Sequence, residues 1–260
     1  MKLKHLLPAL TGVVMLGLWY GIHLSINPEH RFVLPSPGDV IAAFAVHGRQ
    51  LWSATGVTGV AALIGFLASA VVSFALALGL SLSPLVRASF YPYLMMLQMT
   101  PIIVFAPILI MWVGPGLPSV ALITFLICFF PLVVNTTQGL VSTDHNLVDL
   151  FRLYRARKRQ EVWLLRVPAA LPYYLTGLRI AATLAPIGAI VGDLYAGSSA
   201  AGSSGLGYLT LMYSANAEMG PLFATAALCC LLGGIFVMVV VALNWWVLHK
   251  WHDSFTRTDG

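Results

Sequence analysis

Among 260 residues, few side chains offer acid–base or ligand chemistry, and most of those lie inside apolar runs. Asp193 is the one carboxylate well within such a run; Glu218 stands at the border of another, and Arg179 near the opposite end of the run that holds Asp193. An ionisable group in hydrocarbon is costly and by default marks a functional site. The alternative is a helix-end acid that reaches interfacial water. Uncharged polar groups and breakers are more numerous: Gln98, Thr100, Pro101 and Pro107, then Pro131, Asn135, Thr136, Thr137 and Gln138, then Thr183 and Pro186. Proline within a span frees backbone carbonyls, which need a partner or a water-lined cavity. Gln98 and Asn135 have the chemistry to bond a solute, and equally to bond a neighbouring helix.

Enzymatic chemistry finds no support. His249 and His252 flank Lys250, a spacing that could suit a metal, but at a span boundary such side chains snorkel towards water. There is no His-Glu-x-x-His pair and no Gly-x-Ser-x-Gly elbow. Cys128, Cys229 and Cys230 sit in apolar runs, which suits neither a disulfide framework nor a zinc site. The glycine-rich stretch 197–207 lacks the lysine of a phosphate-binding loop. No catalytic residue, metal site or bound cofactor is expected. If ATP powers this protein, another chain supplies the nucleotide site.

The elements that position these residues follow from composition. Hydrophobic residues make up 59% and charged residues only 9%, with a mean hydropathy of +0.87. Soluble domains carry roughly 25% charged residues, so a water-soluble globule is excluded. The chain is expected to be an all-α, polytopic membrane protein. Spans of about 20 residues are expected near 7–26, 55–82, 90–113, 117–140, 171–196 and 221–248. The first resembles a signal peptide at its start but no small-residue cleavage site closes it, so a retained span is expected. An amphipathic stretch over 38–52, with Val40, Ile41, Phe44 and Trp52, is expected on the membrane surface. Residues 1–54 would then form the first span with this external segment, 55–248 a core of five spans, and 249–260 a tail.

Basic residues orient such a chain, because Lys and Arg accumulate in cytoplasmic loops. With both termini cytoplasmic, all of the 14 Lys and Arg residues except Arg31 and Arg49 lie inside. The basic clusters therefore call for no nucleic-acid partner. The inside segment 141–170 is long and still carries apolar residues at helical spacing (Leu147, Leu150, Phe151, Tyr154, then Val162, Trp163, Leu165). Two short helices below the membrane are expected, presenting apolar knobs among cations to a docking partner or to lipid. In the fifth span Gly177, Ala181, Ala185 and Ala189 form a flat seam for close helix packing, within the chain or between subunits.

Several short motifs, in order, resemble the permease subunits of binding-protein-dependent ABC importers. They are Leu34-Pro35-Ser36-Pro37, the stretch Ala106 to Gly114, Phe129-Phe130-Pro131 with Asn135, Pro168 to Pro172 before Thr176-Gly177-Leu178-Arg179, and Gly188 to Asp193 followed by Gly205-Leu206-Gly207-Tyr208. The resemblance covers about 33–247 and is nearest to the branch of taurine, alkanesulfonate, nitrate and thiamine-precursor permeases. It implies a type I importer fold with a cytoplasmic coupling-helix loop in a bacterial inner membrane. It also implies a cytoplasmic ABC ATPase dimer that uses ATP and Mg, a second permease subunit (identical or not), and a periplasmic or lipid-anchored substrate-binding protein. The implied solute is a small polar one, thiamine-pyrimidine or riboflavin-like, with sulfonates, taurine or nitrate next. Contact with the ATPase would fall to Asp149, Leu150, Phe151, Arg152, Tyr154, Arg155 and Ala156. The pathway would be lined by Gln98, Thr100, Pro101, Asn135, Thr183, Asp193 and Tyr195, the last two at the outer mouth. The family's loop opens with Glu-Ala-Ala and has a glycine six residues after the Glu; here Asp149 opens it and Arg155 stands in the glycine's place. An arginine there implies a different turn or a strained one. The competing expectations are a stand-alone carrier or channel, disfavoured by the single intramembrane acid, and a degenerate scaffold subunit.

Overall fold

The computed structural model describes residues 2–197 and 204–249, and every regular element among them is helical. Helix α1 (Lys2–Ser25) leads through a 3-10 turn (Pro28–Val33) into α2 (Pro37–Leu82). The turn is tied to the end of α1 by Arg31, whose guanidinium donates to the carbonyls of Ile26 (3.2 Å) and Leu24 (3.1 Å). A cation at a helix C-terminus satisfies orphan carbonyls and suits the helix dipole.

Helix α2 starts on a capping box. Ser36 Oγ accepts from the Asp39 N–H at 3.2 Å, the Asp39 carboxylate accepts from the Ser36 N–H at 2.8 Å, and Pro37 fills the first helical position. No proline interrupts the rest of the helix, so the 38–52 stretch is not a separate surface helix. It continues into the second span as one helix of 46 residues, roughly 69 Å long at 1.5 Å per residue. Such a rod exceeds a hydrocarbon core of about 30 Å, and the expected boundary at 54/55 falls inside it.

The third expected span is broken. Helix α3 (Pro84–Met99) meets a second arm, a 3-10 turn (Ile102–Phe105) running into α4 (Ala106–Val113), at a bend of 85°. The break lies at Thr100-Pro101, where proline lacks a donor and drives the preceding residue into extended geometry (Thr100 ψ 127°). Gly114 (φ 90°) and Gly116 (φ 100°) then turn the chain into α5 (Leu117–Val141), and the Gly116 N–H bonds the Ala196 carbonyl at 2.8 Å. Among the described residues four helices are long and apolar enough to cross a membrane, five if the bent pair counts as one span. Helix α1, 24 residues from Lys2 to Ser25, adds a further apolar stretch over Leu10–Ser25.

The bundle core is α5 packed along α8 (Val167–Ala196), with α2 on one side and α10 (Met219–His249) outside. The small-residue seam of α8 is spent within the chain. A Cβ on Gly188 would stand 3.0 Å from Thr124 Cα, and one on Gly192 3.1 Å from Val120 Cα, both on α5. Nearer the other end of the pair, a Cβ on Gly139 of α5 would lie 2.6 Å from Tyr173 Cβ. Phe66, Cys128, Leu132 and Ala181 close one core cluster, and Leu51, Leu206, Leu209, Tyr213 and Leu228 close another. The second includes α9 (Leu206–Ala215) and is flanked by Trp19, stacked on Phe223 at 5.8 Å.

Candidate functional site

Two regions bring the chemistry-bearing residues together, one at each end of α8. At the first, the 141–170 segment does not form two free helices. Helix α6 (His145–Leu153) stands alone, capped by the Asp144 side chain on the Asn146 N–H (2.9 Å). The second half, α7 (Lys158–Glu161), runs through a π-helical turn (Val162–Arg166) directly into α8. The join is braced by Arg166, whose Nε (2.8 Å) and Nη2 (2.5 Å) both donate to Glu161 Oε1 in a partly buried pair. From Lys158 to Ala196 the chain is thus 39 residues of nearly continuous helix.

Helix α6 ends at Arg155, which keeps the turn a glycine would make. Its φ is 52°, the left-handed region, while the Arg155 N–H bonds the Arg152 carbonyl (2.9 Å) and the Ala156 N–H the Phe151 carbonyl (2.9 Å). These two bonds are the Schellman closure of a helix. Of the two possibilities that arginine raised, the strained familiar turn is the one adopted, at a cost of roughly 1–2 kcal/mol for a non-glycine residue. The turn leaves Leu153 (78%) and Tyr154 (79%) exposed, with Leu150 beside them, while Val148 is buried and Phe151 and Ala156 are half-buried. Asp149 and Arg152 approach only to 3.5 Å with both side chains exposed, a pair worth little. Helix α6 therefore seats Val148 against the bundle and presents Leu150, Leu153 and Tyr154 outwards as an apolar knob.

At the far end of α8, Asp193 is buried (2% exposed). Thr58 of α2 donates to Asp193 Oδ2 at 2.5 Å, and the same hydroxyl accepts from the Leu206 N–H at 2.8 Å. The carboxyl group also accepts from the Gly207 N–H. Asp193 and Thr58 together cap the N-terminus of α9, where backbone donors are unpaired and the helix dipole favours an acidic group. A Cβ on Gly205 would collide with the Asp193 carboxyl group, and one on Gly207 with the Ile190 carbonyl. The motif halves Gly188–Asp193 and Gly205–Tyr208 are thus parts of one clamp. Sequence reasoning misses Thr58, because a threonine in an apolar run carries no signal of its partner.

The remaining pathway candidates do not converge. Tyr195 is exposed (52%) and lies about 200° around the helix from Asp193, so the two face different sides of α8. Thr183 is exposed and bonds its own helix at the Ile180 carbonyl (2.7 Å). Thr100 bonds the Met96 carbonyl (3.2 Å), and Asn135 donates to the Pro131 carbonyl (2.8 Å), occupying its amide within α5. Gln98 is exposed and its side chain makes no hydrogen bond among the described residues, and Pro101 is exposed at the α3 break. Glu218 and Arg179 are both exposed. No group of three or more metal-ligating side chains occurs among the described residues, and His252 lies outside them. Interhelical polar bonding falls to residues without a distinguishing local pattern: Asn244 donates to the Leu175 carbonyl (2.8 Å) and Tyr174 to the Ala70 carbonyl (3.1 Å).

Apolar helices around a glycine–alanine seam, with an amphipathic helix at one end, define a multi-pass helical membrane protein. The chain belongs to the binding-protein-dependent transport system inner membrane components, a family that matches residues 69–244. It is 34% identical over 250 residues to a probable ABC transporter permease protein of Haemophilus influenzae, covering 96% of this chain and 98% of that one. It is 35% identical over 204 residues to the formylaminopyrimidine transport permease protein ThiX of Halalkalibacterium halodurans, covering 78% and 79%. It is 32% identical over 190 residues to the riboflavin transport system permease protein RibX of Chloroflexus aurantiacus, covering 72% and 70%.

Proposed function

We propose that this chain is the transmembrane subunit of an ABC importer in a bacterial inner membrane, with both termini cytoplasmic. It pairs with a second permease subunit, two cytoplasmic ATPases that bind ATP and Mg, and a periplasmic or lipid-anchored binding protein. No catalytic step is assigned to the chain itself. The solute is a small polar heteroaromatic compound of the pyrimidine or flavin kind, supported by the relatives named for formylaminopyrimidine and riboflavin.

The observation that carries the proposal is the pairing of an exposed apolar helix with a stiff connection into the bundle. Leu150, Leu153 and Tyr154 are available to an ATPase groove. Displacement of the loop would move α7 and α8 together, because the Arg166–Glu161 pair and the π turn join them. Close backbone approach at Gly188 and Gly192 then obliges α5 to follow. Packed helices move as rigid bodies and not by continuous deformation. The rod carries Asp193 in its last turn before Ala196, so the same movement reaches the clamp on α9.

The test is uptake in proteoliposomes holding this chain with its co-purifying ATPase and a binding protein, using formylaminopyrimidine, riboflavin and taurine as solutes. Accumulation that requires both ATP and the ATPase is expected, strongest for a heteroaromatic solute. Equilibration without either would establish a stand-alone carrier or channel instead.

A further inference from the structure

We infer that the basic cavity where α2, α3, α6 and α7 meet binds the phosphate headgroup of an anionic phospholipid, with an acyl chain along the groove between α3 and α5. The cavity, about 350 Å³, is lined by Arg87, Arg152, Lys158 and Arg166, with His145 at its edge. Its one lining carboxylate, Glu161, is engaged by Arg166. Three cations are left, of which Arg87 and Lys158 make no ion pair among the described residues and Arg152 has only the loose contact with exposed Asp149. An uncompensated cluster of this kind in a concavity calls for an anion.

Position and shape select the anion. The cavity lies where α2 ends at Leu82 and α5 ends at Val141, the boundary between apolar span and water. A second cavity of about 240 Å³ shares Arg87 and Val141 with it and continues between α3 and α5 past Ala88, Tyr91 and Pro92. Its wall includes Thr137, 1% exposed, whose hydroxyl is buried without a hydrogen-bond partner. A buried hydroxyl without a partner is costly, and a glycerol ester carbonyl placed below a phosphate in the basic cavity would satisfy it. Helix α3 has no buried side chain, so the groove opens along an apolar face. Free phosphate would fill the basic cavity and leave both the groove and Thr137 unoccupied.

The test is native mass spectrometry of the full chain, with whatever subunits accompany it, after exchange into mixed micelles of dioleoyl-phosphatidylglycerol or dioleoyl-phosphatidylcholine. Retention of phosphatidylglycerol is expected to exceed that of phosphatidylcholine at least about tenfold, and to fall with added salt as charges are screened. Arg87→Gln with Lys158→Gln should lower it about 25-fold, roughly fivefold per cation. Thr137→Val should lower it about threefold, one modest hydrogen bond, while Arg49→Gln, outside this cavity, leaves it unchanged. Equal retention of the two lipids, or the same retention in the double variant, overturns the proposal. So does binding of inorganic phosphate without retention of phosphatidylglycerol, or an effect of the variants confined to ATPase attachment. If the double variant does not fold, salt-independent retention by the unaltered protein is itself the refuting result.

Discussion

The clamp at Asp193 makes a sharp prediction for Thr58→Val, a nearly isosteric change that removes one hydroxyl. That hydroxyl gives a 2.5 Å bond to Asp193 Oδ2 and takes a 2.8 Å bond from the Leu206 N–H, and Thr58 is fully buried. Valine therefore strips one donor from a buried acid and strands one buried amide. In water-soluble proteins the two losses would sum to roughly 3–6 kcal/mol. Polar contacts inside membrane proteins are worth less, about 0.6 kcal/mol on average, because the unfolded chain in the bilayer also finds partners. The clamp lies at a helix N-terminus with glycine backbone pressed on the acid, which leaves little room for an alternative partner. About 3 kcal/mol is the resulting expectation, a fall of roughly 6–12 °C in Tm for a chain of this size. Thr58→Ser keeps both bonds and loses one methyl group, about 0.8 kcal/mol. Thermal unfolding in detergent compares the two, and hydrogen exchange at the Leu206 and Gly207 amides localises the effect, with acceleration of about 150-fold for a local opening. If the Thr58→Val and Thr58→Ser variants melt within about 2 °C of each other and the two amides exchange alike, the clamp does not hold α9.

Other consequences are checked more simply. Arg155→Gly relieves the left-handed strain but adds freedom to the unfolded chain, leaving a gain of about 0.5–1 kcal/mol; exchange of the amides over 150–156 should slow about threefold, and faster exchange would refute the strained turn. Tyr154→Asp, at a position 79% exposed, should change stability by less than about 0.5 kcal/mol yet abolish ATP-driven uptake in proteoliposomes; unchanged uptake would remove α6 as the docking element. Gly139→Ala forces a methyl group to 2.6 Å from Tyr173 Cβ and should cost about 1–3 kcal/mol, whereas Gly79→Ala, with nothing within 4 Å, should be neutral or stabilising by up to about 1 kcal/mol. Detergent melting of the two variants side by side decides it.

Much of this protein is legible without coordinates, and the reason is that its solvent leaves few choices. With 59% hydrophobic residues, backbone polar groups have only each other to bond, so helices follow from composition. The small-residue seam of α8 and the misfit of Arg155 can be pointed to in the chain, whereas the cap at Ser36-Pro37 stands there only as a motif and Thr100-Pro101 only as polar and breaker residues inside an expected span. Each is a local property, set by backbone stereochemistry or by residue size. Continuity was less legible. Nothing local announces that 38–52 and the second span are one helix, or that α7 runs into α8 through a π turn, because propensity does not change across either junction.

What tertiary structure alone decided is which polar groups meet. Asp193 stands in the sequence as a lone intramembrane acid, and the fold makes it part of a helix cap, because Thr58, 135 residues away, supplies the hydroxyl that completes it. Arg87 and Lys158 look like scattered positive-inside charges until α2, α3, α6 and α7 bring them around one cavity. Composition and spacing determine that helices form and roughly where they turn, through interactions spanning a few residues. Pairing across more than a hundred residues depends on which helix faces press together, and that is settled by packing.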